Sequence, residues 1–162
     1  MIANITTGKS AYGILNYNQL KVNKGKASVL STRLIFEDPD GKYNVSKMAE
    51  EFHNSMPECI RTEKPIVHIS LNPDPKDEID DELLITMAEE YLDGMGWGNQ
   101  PYIIYKHTDI ERAHIHIVTT QVDITGRKIN DSHRNRRSVA VTEELEKKYH
   151  LHPAKKQKQV TL

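Results

Sequence analysis

The run from Tyr105 to Val118, Tyr-Lys-His-Thr-Asp-Ile-Glu-Arg-Ala-His-Ile-His-Ile-Val, constrains the fold of this chain more than any other stretch. It joins two alternating segments, Tyr102 to His107 and His114 to Val122, and a period of two is the pattern of a strand with two distinct faces. Only six residues, Thr108 to Ala113, separate them. A parallel crossover needs a dozen residues or more, so an antiparallel hairpin is expected. In such a hairpin His114 and His116 share one face, with Cα atoms roughly 6–7 Å apart. The short connection brings His107 to the same place. Three imidazoles can hold one metal ion with positions left open for substrate, and imidazole nitrogen suits Zn, Mn, Fe, Ni and Cu. The expectation is an open metal site of His107, His114 and His116 built on a sheet. Of the other histidines, His53 lies in a helical pattern and His133, His150 and His152 in polar stretches. His68 would share a strand face with Ile66 and Ser70.

The rest of the chain alternates between the two periodicities. Ser10 to Leu20 reads as a helix with Ala11, Ile14 and Leu15 as its apolar set. Ser10, Gly13 and Tyr17 fall on an adjacent face. Lys21 to Ala27 reads as a basic loop, Ser28 to Phe36 as a strand, Asp38 to Gly41 as a turn and Val45 to Ser55 as a helix. Ile66 to Leu71 is a strand broken by Asn72-Pro-Asp-Pro75. Asp80 or Asp81 caps a helix to about Leu92, which Gly94, Gly96 and Gly98 end. Asp123 to Gly126 is a turn, and Thr142 starts a last helix to Tyr149. The fold class expected is α+β with a largely antiparallel sheet. At 162 residues a single domain is expected. No Gly-x-Gly-x-x-Gly follows a strand, and no local Cys-His or Ser-His-Asp nucleophile motif is evident. The single Cys59 permits no internal disulfide, excludes a thiolate zinc finger and fits a reducing cytoplasm. No apolar run approaches the ~20 residues of a membrane span, and residues 1–10 lack a signal-peptide core.

Net charge is −1, but it is segregated. Residues 1–36 carry Lys9, Lys21, Lys24, Lys26 and Arg33 and no acid. Residues 127–137 carry Arg127, Lys128, Arg134, Arg136 and Arg137 against Asp131, and the tail adds Lys155, Lys156 and Lys158. Acids concentrate between Asp74 and Asp93. Phosphate binding depends on local basic patches rather than on the sum over the chain, so these runs are the candidate DNA contacts.

An upstream tyrosine, the His-x-Ser strand Val67-His-Ile-Ser-Leu71, an acidic helix, Tyr105-Lys-His-Thr-Asp109, Ala113-His-Ile-His-Ile-Val118 and Gln121-Val-Asp-Ile-Thr-Gly-Arg-Lys128 follow one another in the order seen in the relaxases. Over roughly residues 10–135 the chain resembles these mobilisation nucleases of conjugative plasmids and transposons. The resemblance implies a five-stranded antiparallel sheet flanked by helices. It implies site- and strand-specific nicking and strand transfer at an origin of transfer, through a 5′-phosphotyrosine. By position, Tyr17 would be the nucleophile and the three histidines the metal ligands, with Mn or Mg as the physiological ion and Zn or Ni as ions acquired in purification. Ser10 would contact DNA near the nick. Asp109 would position or activate the motif, as a base or as an acceptor from a ligand histidine. The partner is origin DNA, single-stranded or hairpin, with accessory mobilisation proteins left open. Two departures stand out. Thr119-Thr120-Gln121 occupies the place where relatives often carry an asparagine. Relatives also usually continue into long C-terminal regions, so residues 1–162 would be the nicking domain, alone or as the N-terminal part of a longer protein.

The chemistry agrees. A tyrosine hydroxyl with an unperturbed pKa near 10 is a weak nucleophile that needs a base or a nearby cation. Tyr12 lies about 140° from Tyr17 around a helix, so only one of the two should face the metal. Replication initiators of the same wider group place their tyrosine after the histidine pair, which would make Tyr149 the nucleophile. Other readings are a cupin-type metal enzyme, whose usual glutamate ligand is replaced here by Thr119, Thr120 and Gln121, a nucleotide hydrolase with alternating histidines, which wants a third histidine where Val118 stands, and a non-catalytic DNA-binding module.

Overall fold

The computed structural model describes residues 1–109, 112 and 114–154; Lys155, Lys156 and Lys158 lie outside the described residues. Five strands and four helices follow in the order β1 (Ile2–Gly8), α1 (Tyr12–Asn23), β2 (Ala27–Arg33), α2 (Val45–Asn54), β3 (Ile66–Asn72), α3 (Asp81–Met95), β4 (Tyr102–His107), β5 (His114–Thr120) and α4 (Arg134–Lys148). The strands form one sheet in the order β1-β3-β5-β4-β2, and every neighbouring pair is antiparallel. The α+β class and the five-stranded antiparallel sheet expected from the sequence are both present.

Alternation along the strands divides the apolar residues between two cores. Val67, Ile69, Leu71, Ile104, Ile115 and Ile117 pack against α3 and α4 with Leu84, Met87, Tyr91, Leu92 and Leu145. On the other face Ile66, Ile103, Tyr105 and Val118 pack against Leu15 of α1 and Met48 and Phe52 of α2. Both faces of the central strands are therefore buried, except where the second face turns polar.

Helix ends follow their local chemistry. Asp80 accepts a hydrogen bond from the Leu83 backbone and starts α3, with Asp81 and Glu82 in its first turn. Gly96, at φ +89°, ends it in the left-handed region that favours glycine. Gly94 is not the terminator that the glycine spacing suggests. It lies inside α3, where an added Cβ would come within 2.8 Å of Val141 on α4. It is the point of close approach between the two helices.

Several boundaries differ from the sequence expectation: β2, for instance, ends at Arg33 rather than Phe36, and β5 at Thr120 rather than Val122. The basic loop is shorter because α1 continues to Asn23, which places Lys21 on the helix. The last helix begins at Arg134, eight residues before the Thr142 start, so the arginine run is its first turn rather than a loop. The strand β1 is not announced by the sequence pattern. Met1, Ala3 and Ile5 reach the α3–α4 core, while Asn4 and Thr6 lie opposite Ser70 and His68.

Candidate metal centre and nicking site

Tyr105 and His107 of β4, His114 and His116 of β5 and His68 and Ser70 of β3 all lie on the α1 side of the sheet, because residues of one parity share a face. The register sets His107 directly opposite His114, and His116 between Tyr105 and Ser70. Toward the β2 and α2 side this face is filled by Tyr105, Ile103 and Val118; toward His68 and the β4–β5 connection it is polar. The His107 and His116 rings stack with centroids 3.9 Å apart, and His114 is 5.2 Å from His107 and 5.0 Å from His116. One nitrogen of each of the three lies within 4.8 Å of the others, as donors to one ion must. The hairpin argued from the six-residue connection has formed, and it brings together the three histidines named from spacing.

Two observations show that these residues fit a cation. His114 Nδ1 and His116 Nε2 are buried with no hydrogen-bond partner among the described residues. Buried polar atoms of this kind are rare without a ligand, water or ion to satisfy them. The His107 and His116 rings are also neutral. Burial, followed by the neighbouring His114, pushes His107 down to about 4, and burial with the neighbouring His107 pushes His116 down to about 3. Neutral imidazole keeps the lone pair that a metal needs.

The same shifts carry a stability prediction. Both folded-state values lie below the ordinary 6.5. The unfolded chain therefore binds more protons than the folded one below that pH, and stability falls as pH falls. In chelator, the melting temperature should drop progressively from about pH 7 to about pH 5.5, a window in which most carboxylates are still ionised. A flat melting temperature across that window would contradict the neutral, buried cluster.

Tyr17 stands beside this cluster. It is 49% exposed on α1, and its ring centroid is 6.4 Å from that of His107. Tyr12 is equally exposed. Ala11 and Leu15 are buried on the helix, together with Asn18 and Gln19. Ser10 accepts from the Tyr12 backbone N–H and so serves the start of α1. Lys21, one turn after Tyr17, places its ammonium 5.4 Å from the Tyr17 ring centre and pairs with Asp109. The Asp109 carboxylate, and to a smaller extent Tyr17, hold the Lys21 pKa above its usual value; Lys21 holds that of Asp109 below its own. Among the described residues Asp109 makes no hydrogen bond to a histidine. The histidine contacts come from Asn18, whose Oδ1 is 2.7 Å from His107 Nε2, and from His68, whose Nε2 is 2.9 Å from His116 Nδ1. Spacing along the chain marks His68 only as a face-mate and does not mark Asn18. An asparagine fits so many helix positions that no local pattern singles this one out.

Tyr149 is on the other side of the molecule. Its ring packs on the α3–α4 core and its hydroxyl donates to Glu90 of α3.

The family model for "Relaxase: MobA/VirD2-like, nuclease domain" matches residues 17–151. The chain belongs to this relaxase family. No curated protein matches it. As a relaxase nuclease domain it is a DNA-nicking enzyme of mobilisation and binds DNA at an origin of transfer. The match opens at Tyr17, takes in all three histidines and leaves Ser10 outside. No helix of the described residues is long and apolar enough to cross a membrane.

The basic residues of the relaxase divide into separate groups. Lys21 joins Asp109, and the Lys26 carbonyl accepts from the Thr108 backbone, so Lys21, Lys24 and Lys26 border the histidine end of β4. Arg33 is at the opposite end of β2, across from Tyr102, and its guanidinium donates to the Gly98 carbonyl. Lys128 and Arg134 line a shallow cavity with Arg61 and Lys64, where Lys128 also pairs with Asp131. Arg127 and Arg136 are exposed. Arg137 is occupied structurally, donating to the carbonyls of Met95, Asn130 and Ser132.

Proposed function

We propose that this relaxase nicks one strand of origin DNA by attack of Tyr17 on a phosphate held at His107, His114 and His116. The observation that carries the reading is the placement of an exposed tyrosine beside a cluster of three imidazoles with unsatisfied nitrogens. A divalent cation bound there, Mn or Mg in the cell, supplies charge neutralisation and orientation at a nonbridging phosphate oxygen. The protein residues do the rest. The Tyr17 oxygen forms a bond to phosphorus as the bond to the 3′-oxygen breaks, leaving a 5′-phosphotyrosine and a free 3′-hydroxyl. The tyrosine proton is lost to solvent, and the departing oxygen takes one up. Lys21, held by Asp109 one turn from Tyr17, lies where its ammonium can meet the negative charge of the approaching phosphate. In this reading Asp109 acts through Lys21 and not as an acceptor from a ligand histidine. Because the phosphotyrosine bond resembles the one it replaced, the step is reversible, as strand transfer requires.

A replication initiator acting through Tyr149 is disfavoured by the position of that residue on the far side of the sheet. The reading is tested by a denaturing gel of the protein with labelled single-stranded origin DNA, with Mn and with chelator. A metal-dependent, SDS-resistant protein–DNA band is expected. Its absence on every origin-derived strand would leave the module a DNA binder without covalent chemistry.

DNA contacts from this run should come from the half-exposed Arg134 and the exposed Arg136, and not from Arg137, which is held by backbone carbonyls. Replacing Arg134 and Arg136 together by Ala should weaken binding to all sequences and lower the salt slope by about one for each phosphate no longer neutralised. Arg137→Ala should act on the melting temperature instead, since its partners are backbone carbonyls. Equal salt slopes in the wild type and the double variant would make the run a solvated surface.

A further inference from the structure

Asn18 is fully buried on α1. Its Nδ2 donates to the Ile14 carbonyl at 2.9 Å, and a carbonyl can only accept. That bond settles the orientation of the amide, so it is Oδ1 that faces His107 Nε2 at 2.7 Å. An amide oxygen only accepts as well. His107 must then carry its proton on Nε2, and a neutral imidazole protonated there has its lone pair on Nδ1.

His116 is oriented by a different partner. Its Nδ1 faces His68 Nε2 at 2.9 Å, and its own Nε2 is buried with no partner among the described residues. One of the two rings must donate. If His68 donated, the proton of His116 would sit on that buried Nε2 with no acceptor, the costly arrangement that folded proteins avoid. If His116 donates from Nδ1, its Nε2 lone pair is free and the orphaned atom becomes a ligand. His68 stays outside the group of three whose donor atoms lie within 4.8 Å, so it touches the site only through His116.

From this geometry we infer that Asn18 and His68 are positioning residues of the metal centre: Asn18 presents His107 through Nδ1, and His68 presents His116 through Nε2. The inference rests on the metal-site reading above. It gives to a helix asparagine and a strand histidine the orienting role that the family resemblance left to Asp109, whose carboxylate is taken up by Lys21. Ligand histidines commonly donate their second ring N–H to such a partner, and loss of the partner typically costs 10–100-fold in metal affinity.

The test uses the full chain and Co2+. Asn18→Leu and His68→Leu remove the acceptor at similar volume; Asn18→Asp and His68→Gln restore one. Affinity is measured by chelator competition, the ligand field by the visible Co2+ band, and folding by circular dichroism. Each leucine variant should bind Co2+ roughly 10- to 100-fold more weakly with an altered band, and the conservative variants should recover most of both. Long-range proton–nitrogen correlation spectra of the wild type, metal-free and with Zn2+, read the tautomers directly. They should show His107 protonated on Nε2 and metallated on Nδ1, and His116 the reverse. These spectra decide the matter even if Asn18→Leu fails to fold. Folded leucine variants with wild-type affinity, or a His107 bound through Nε2, overturn the inference while leaving the metal site standing. A wild-type protein that binds no Co2+ at these histidines overturns both.

Discussion

Tyr17→Phe removes one oxygen atom and is expected to abolish the covalent DNA adduct outright. Loss of a covalent nucleophile costs on the order of 10⁴- to 10⁶-fold in turnover. Little else should change. The Tyr17 ring is half exposed and belongs to neither apolar core, so the variant should melt like the wild type, bind metal and bind origin DNA. Tyr12→Phe should still form the adduct. Tyr149→Phe should too, because that hydroxyl is bound to Glu90 behind the sheet. The measurement is the labelled-strand denaturing gel with the three variants side by side. An active Tyr17→Phe with a dead Tyr149→Phe would replace the relaxase chemistry proposed here with that of a replication initiator.

His116→Ala, and equally His114→Ala, should eliminate stoichiometric metal binding and strand cleavage together. His116 is central to the cluster, with its ring against His107 and its Nδ1 on His68. With it gone, two imidazoles remain, too few to hold a labile divalent ion tightly. The fold should survive. The backbone ladder from β3 to β5 to β4 does not involve the side chain, and the neighbouring positions Ile115 and Ile117 keep the opposite core intact. Metal content after dialysis and circular dichroism of the same sample check both halves. Full metal occupancy in the His114, His116 double variant would place the site elsewhere.

Much of this site is legible in the sequence because its chemistry is local. The parity of His114 and His116, and a connection too short for anything but a hairpin, already imply that three imidazoles meet. A strand geometry with a period of two leaves no freedom in which face they take. The same locality makes the helix at Val45 and the capped helix at Asp80 readable to within a residue or three. Where the pattern is weak, it misleads. Met1, Ala3 and Ile5 alternate over too short a span to announce an edge strand. The arginines at 134, 136 and 137 hide the start of α4, since cations are unfavourable in a first helical turn.

The family and the three histidines are thus determined by the order and spacing of residues along the chain. The partners are not. That Lys21 takes Asp109 and that Asn18 and His68 reach the ligand rings depend on which surface of α1 lies over β4 and β5 and which strand pairs with β5; that Arg137 latches onto three backbone carbonyls depends on how α4 meets the end of α3 and its own preceding loop. Strand order β1-β3-β5-β4-β2 puts His68 beside His116 although they are 48 residues apart, and puts Tyr149 behind the sheet while Tyr17 lies in front. Periodicity assigns a residue to a face. Only the packing of non-adjacent elements decides which two faces meet, because that choice is set by burying both cores at once rather than by any local stretch of chain.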